Sequence, residues 1–224
     1  MSAPMAQRFL HRARGLALVG VLGSGLAIGL IVRPVGATIP PEKQQLVNQV
    51  AELVQQDGHQ YPAVVARVNG QPITGKELAQ RVAIVQQSQA RGLDKTNPTR
   101  TALEQLIADQ VLLQSAGTYG IAVSTDEARA YAQAQQQLAA QAKDIPAQEM
   151  VSAEAASLGV APAQYFTDPR IVEVYRRGMI RGRMRAQIAA SLPVAQRGDA
   201  AAVQAAVLNF AAQSDARIER LITP

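Results

Sequence analysis

From residue 63 onward, apolar positions alternate between the two periods that define regular structure. Ala63 to Val68 is a short apolar segment around Arg67, Asn69-Gly70 follows, and Gln71-Pro72-Ile73 returns, which predicts a β-hairpin turned at the Asn-Gly pair. The period then lengthens. Leu78, Val82 and Val85 give one helix its buried face, and Gly92 with Asn97-Pro98 breaks it. Leu103, Leu106, Ile107, Val111 and Leu113 form a broad stripe on the next helix, about Thr99 to Gly117, which becomes the expected centre of the core. Tyr119-Gly120 closes that helix, and a helix with Tyr131 follows from Ser124. A short helix is expected over Pro146 to Leu158, a long one from Asp168-Pro169 through Tyr175, Met179, Met184 and Ile188 to Ser191, and another over about Ala200 to Gln213. Ala216 to Thr223 alternates in a way that predicts a terminal strand.

Two capping boxes sharpen this reading. In Thr74-Gly75-Lys76-Glu77 and Ser124-Thr125-Asp126-Glu127 the first hydroxyl can accept from the Glu amide while the carboxylate reaches back to the first amide. Both mark helix starts.

The N-terminal quarter follows another logic. Gly15 to Val32 is 18 residues without a charge, after Arg8, Arg12 and Arg14 and before Arg33. Such a run is just long enough to cross a bilayer as a helix, and Val35-Gly36-Ala37 offers a cleavage site for an exported chain. The excess of arginine before the run keeps the N-terminus cytoplasmic, so the expectation is either a single-pass anchor or, if cut after Ala37, a secreted chain. Pro40-Pro41-Glu42 then opens an amphipathic spacer with Leu46, Val47, Val50, Leu53 and Val54, ending at Gly58. The expected organisation is 1–37 flank and anchor or signal, 38–62 spacer, and 63–224 one folded domain.

Composition narrows the chemistry. Hydrophobic residues reach 48% but aromatics only 4%, so the core must be built from Ala, Leu, Val and Ile, which suits closely packed helices. The absence of cysteine removes disulfides, thiolate nucleophiles and Cys-ligated metal, and two histidines, His11 and His59, leave no His-rich metal site. The net charge of +5 lies mostly in the first 37 residues, which hold four arginines and no acid, so no nucleic-acid footprint is expected on the folded part. No catalytic residue, metal site or cofactor is expected. Glu104 and Asp109, or Asp126 and Glu127, are carboxylates near one another, yet capping and solvated helix faces account for them without a pocket.

Two sets of residues remain as binding candidates. Tyr165, Phe166, Tyr175 and Met179 could line an apolar groove, since aromatic and thioether side chains adapt to varied apolar ligands. Core is the plainer place for Tyr175 and Met179, and Tyr165-Phe166 suits either. Arg177, Arg181 and Arg185 recur at i, i+4, i+8 on the long helix and could meet an acidic partner or lipid head groups; the alternative is a helix face balanced by acids from neighbouring elements.

The block Val65-Ala66-Arg67-Val68-Asn69-Gly70-Gln71-Pro72-Ile73-Thr74-Gly75-Lys76-Glu77-Leu78 resembles the opening of the SurA N-terminal domain, shared by SurA-like and PrsA-like extracytoplasmic chaperones. Ala102 to Ile107, Leu112-Leu113 and Gly120-Ile121-Ala122-Val123-Ser124 follow in the family's order. Gln164-Tyr165-Phe166 with the long basic helix, and Asp215 to Glu219 as a returning strand, continue it. The resemblance implies a mainly α fold with a small sheet made by the N-terminal hairpin and the C-terminal strand. It also implies an envelope chaperone module that binds unfolded or exported polypeptides. Many relatives insert a parvulin prolyl-isomerase domain between the long helix and the terminal strand; here only Pro193 to about Asp199 stands there, so no isomerase is expected. A dedicated assembly partner of one envelope complex is the second reading, and a prolyl isomerase the third.

Overall fold

The structure, a computed structural model, describes residues 18–22, 26–30, 60–90, 96–141, 151–152, 154–156 and 158–223. In the apolar run, β1 (Leu18–Leu22) and β2 (Leu26–Leu30) pair antiparallel, Leu18 opposite Leu30 and Leu22 opposite Leu26. Within the run where a single helix is expected, residues 18–22 and 26–30 are strands. β-branched Val19, Val21 and Ile28 with helix-weakening Gly20 and Gly29 give the local reason. Among the described residues no helix is long and apolar enough to cross a membrane. The spacer expected before residue 60 lies outside the described residues.

The hairpin forms as its sequence predicts. β3 (Val64–Val68) and β4 (Gln71–Thr74) are joined by Asn69 at φ 50° and Gly70 at φ 81°, the two left-handed residues a tight hairpin turn requires. β5 (Ile218–Arg220) pairs on the other side of β3, Val68 opposite Ile218 and Ala66 opposite Arg220, giving the antiparallel order β4-β3-β5. The expected terminal strand therefore completes the sheet. Pro72 sits on edge strand β4, where its missing N–H leaves no ladder bond unmade.

Helix α1 (Gly75–Ala90) starts at the first capping box: Thr74 N and Oγ1 each donate to Glu77 Oε2 at 2.8 Å, and Glu77 N donates to Thr74 Oγ1 at 3.2 Å. Gly75 passes so close to the preceding chain that a Cβ there would stand 2.3 Å from the Pro62 carbonyl oxygen. Helix α2 (Pro98–Ser115) is capped by Asn97, whose Oδ1 accepts from Thr99 N at 2.9 Å, and runs on into a 3-10 turn, Ala116–Tyr119. Helix α3 (Thr125–Gln141) opens with half of its capping box, Glu127 N donating to Ser124 Oγ at 3.1 Å, because the Glu127 carboxylate turns away to Arg183. Residues 151–152, 154–156 and 158 are helical, and a 3-10 segment, Pro162–Thr167, leads into α4 (Pro169–Ser191). One 3-10 turn, Val194–Gln196, separates α4 from α5 (Ala200–Gln213).

Two apolar clusters share α4. The larger gathers Val65 and Val68 from β3, Leu78 and Val82 from α1, Leu103, Val111 and Leu112 from α2, and Val207 from α5, with Val172, Ile180 and Met184 of α4. The smaller holds Ala132, Ala155, Tyr165 and Phe166 with Ile171 and Tyr175 of α4. The long helix is the common wall, apolar towards both.

Candidate functional site

Hairpin, α1, α2 and α4 meet around an open cleft of about 430 Å³ lined by Gln71, Pro72, Thr74, Lys76, Glu77, Gln110 and Arg177. Each element supplies its part for a local reason. The Asn-Gly turn presents Gln71 and Pro72 on the edge strand, the capping box fixes Thr74 and Glu77 at the mouth of α1, and Gln110 and Arg177 face each other across α2 and α4. Arg177 Nη2 donates to Gln110 Oε1 at 3.1 Å. Behind the cleft a smaller recess of about 50 Å³ shares Pro72, Glu77, Gln110 and Arg177 and adds Ile73, Leu106, Asp109, Val174 and Arg181.

The floor of that recess is ionic. Asp109, on the otherwise apolar face of α2, is only 5% exposed. Arg81 of α1 donates to Asp109 Oδ2 at 3.0 Å, Arg185 of α4 donates to Oδ1 at 2.9 Å and to Gln204 Oε1 of α5 at 2.9 Å, and Arg181 of α4 lies 4.0 Å from Oδ2. Burial alone would push the Asp109 carboxyl up; the charges of Arg81, Arg181 and Arg185, with the Arg185 hydrogen bond, outweigh it and hold the group below the ordinary carboxylate value. Arg181 is held below the ordinary guanidinium range by burial first, partly offset by Asp109 and deepened by Arg81, Arg177 and Arg185.

This arrangement corrects one expectation and refines another. Asp109 is neither a cap nor on a solvated face; it is a buried counter-ion joining three helices. Glu104 and Asp126 do lie on solvated faces, paired with Arg100 and Arg129. Of the basic stripe, Arg181 and Arg185 turn inward to Asp109, so the balancing acid does come from a neighbouring element, and Arg177 alone of the three faces the open cleft. The remaining arginines of α4 are likewise engaged. Arg170 holds both Asp168 oxygens, drawing that carboxyl down to about 2 chiefly through their hydrogen bond, Arg176 pairs with Glu173, and Arg183 binds Glu127 and the Ala122 carbonyl.

The apolar candidates have a different place from the groove considered for them. Tyr165 is 0%, Phe166 5% and Tyr175 2% exposed, and Met179 is half-buried against the larger cluster. In a 3-10 turn neighbouring side chains lie about a third of a turn apart, so the segment can drive both rings of the Tyr-Phe pair inward. Tyr165 and Phe166 meet edge to face at 5.1 Å, Phe166 stacks on Tyr175 at 6.5 Å, and Tyr175 meets Tyr131 edge to face at 5.6 Å. The Tyr165 hydroxyl donates to the carboxylate of buried Glu154. Burial, with Tyr131 and Glu154 nearby, pushes the Tyr175 phenol up. These residues are core.

Among the described residues there is neither histidine nor cysteine, and no group of three or more metal-type ligands. The cleft offers two amides, one hydroxyl, one ammonium, one guanidinium and one carboxylate, which can hydrogen-bond a polypeptide and pair with its charges. The SurA-like N-terminal domain family matches residues 37–153, just over half of the chain, from before the hairpin to beyond α3. No curated protein and no solved structure matches the chain.

Proposed function

Because the chain belongs to the SurA-like N-terminal domain family, a chaperone-type family, we propose that it holds unfolded or exported polypeptides without chemical catalysis. The observation that carries this reading is the cleft between hairpin, α1, α2 and α4: its walls on the hairpin, α1 and α2 lie within the family match and α4 adds Arg177 from beyond it, it is open to solvent, and apart from Pro72 its lining side chains can hydrogen-bond. Gln71, Thr74 and Gln110 can satisfy the amides of an extended chain, while Pro72 and the apolar parts of the wall take its side chains. Binding of this kind needs no cofactor. It gains from apolar area removed from water, about 25 cal/mol per Å², less the ordering of the bound segment.

The place of action belongs to the same proposal. Arg8, Arg12 and Arg14 ahead of an uncharged run, with one arginine after it, support an envelope location with the folded part outside the cytoplasm, tethered or released.

The test is suppression of aggregation. The full chain should reduce light scattering from several unrelated unfolded proteins at stoichiometric amounts. Protection of one protein alone would replace the general reading with that of a dedicated assembly partner, and protection of none would remove both.

A further inference from the structure

The cleft floor carries more positive charge than its carboxylates neutralise. Asp109 is shared by three guanidiniums, with Arg81 and Arg185 the nearer two. Arg181 stands off at 4.0 Å, makes no hydrogen bond among the described residues, and keeps 16% of its side chain exposed, in the recess behind the cleft. One turn earlier on α4, the hydrogen bond of Arg177 goes to the neutral amide of Gln110; Glu173, one turn back on the same helix, feels the Arg177 charge but gives both its oxygens to Arg176. Glu77, the other carboxylate of the lining, is drawn by Oε2 to the Thr74 amide and hydroxyl, and Lys76 adds a further cation beside it. A guanidinium with five donors, largely desolvated as Arg181 is and short of acceptors, is a prepared site for a carboxylate. The desolvation of Arg181 has already been met by the fold, so an arriving anion gains the ion pair without that cost being repeated.

We propose that the cleft binds a carboxylate of its polypeptide client, with Arg177 at the mouth and Arg181 in the recess as the paired cations, so that segments carrying Asp or Glu are preferred. This inference rests on the polypeptide-holding reading and specifies its ligand. A cavity of about 430 Å³ is within the range that holds a small ligand or a few residues of chain. Charge-assisted hydrogen bonds are roughly twice as strong as neutral ones, so the choice between acid and amide is where the effect is expected to show.

Fluorescence anisotropy with the full chain tests this with three labelled peptides of one length: one with Glu at alternate positions and an amidated C-terminus, its Gln counterpart, and the Gln peptide with a free C-terminal carboxylate. The Glu peptide should bind about tenfold tighter than the amidated Gln peptide at low ionic strength, with the preference shrinking as salt is added. Arg177→Gln, which loses one hydrogen bond, to Gln110, and no ion pair within 4 Å among the described residues, should reduce that preference while the melting curve is kept; Arg181→Gln, accepted only if it melts like the parent, should do the same. Binding of the third peptide at the level of the first supports the proposal and names the chain terminus as a source of the carboxylate. Equal binding of Glu and amidated Gln peptides overturns it and leaves the holding reading intact, as does a preference untouched by both substitutions. Binding of vesicles rich in anionic lipid through Arg177, with no peptide bound, also overturns it and assigns the face to phosphate head groups. If no peptide binds and aggregation suppression is absent as well, the holding reading falls with it.

Discussion

Asn69 and Arg217, 148 positions apart, exchange two hydrogen bonds: Asn69 N donates to the Arg217 carbonyl and Arg217 N donates to Asn69 Oδ1, each at 2.8 Å. The turn residue of the hairpin thus also fastens the returning strand. Its Nδ2 reaches Gln114 Oε1 on α2 at 2.7 Å, and Gln114 Nε2 returns to the Val68 carbonyl at 2.9 Å. One amide side chain ties turn, strand and helix together.

Deleting 216–224 removes β5 and both Arg217 bonds, and should lower the melting temperature by many degrees. Asn69→Ala loses the side-chain bonds and places alanine at φ 50°, for an expected cost of about 1–3 kcal/mol. At roughly 2–4 °C per kcal/mol for a chain of this size, thermal denaturation resolves either change. An unchanged curve for the deletion would show that β5 contributes nothing.

Asp109→Asn should be among the most damaging single substitutions, because it leaves three guanidiniums desolvated around a neutral amide; breaking a buried ionic cluster costs about 3–5 kcal/mol. The sign with pH follows from its lowered carboxyl. The stabilisation is complete above the ordinary carboxylate value of 3.8 and is lost as pH falls through the lower folded value. Urea unfolding between neutral pH and about pH 2 should show the acid loss in the parent and a shallower one in the variant.

Phe166→Ala should destabilise the smaller cluster by about 3–5 kcal/mol, as core aromatic truncations do. A surface groove residue would instead leave stability unchanged and weaken client binding. Melting and aggregation suppression measured on the same preparation separate the two.

Gly75→Ala should cost about 1–3 kcal/mol by overpacking, since the added methyl meets the Pro62 backbone carbonyl rather than a flexible side chain. Gly182→Ala, with nothing within 4 Å of the new methyl, is the control and should be neutral or slightly stabilising.

In a proline-limited refolding assay the slow phase, tens to hundreds of seconds uncatalysed, should keep its rate in the presence of the full chain. Acceleration would assign an isomerase activity and overturn the non-catalytic reading.

What the sequence makes legible here is whatever is decided within a few residues. Asn69-Gly70, the Thr74–Glu77 box, Pro98 and Pro169 each carry their own steric or hydrogen-bonding reason, and the structure follows them. The stripe on α2 announces its burial because Leu103, Leu106, Ile107 and Val111 share a face. Asp109 lies on that same face, and nothing local says that Arg81 of α1 and Arg181 and Arg185 of α4 will converge on it; helix packing decides that. Tyr165-Phe166 is ambiguous for a related reason, since its burial depends on whether the chain around residues 151–158 folds over it. The glycine- and valine-rich N-terminal run supports a spanning helix by length and hydropathy and paired strands by residue preference, so its pattern alone does not choose.

The placement of β3 between β4 and β5 sets the order in which the molecule can be finished. Once residue 74 has been made the hairpin is complete, yet the other edge of β3 waits for residue 218. At synthesis rates of roughly 5–20 residues per second that interval is about seven to thirty seconds. During it a short strand with two buried valines presents unpaired amides, with Arg67 as the one charge on it. A chain cut short before β5 keeps this edge bare, so the sheet itself distinguishes a full-length product from a truncated one.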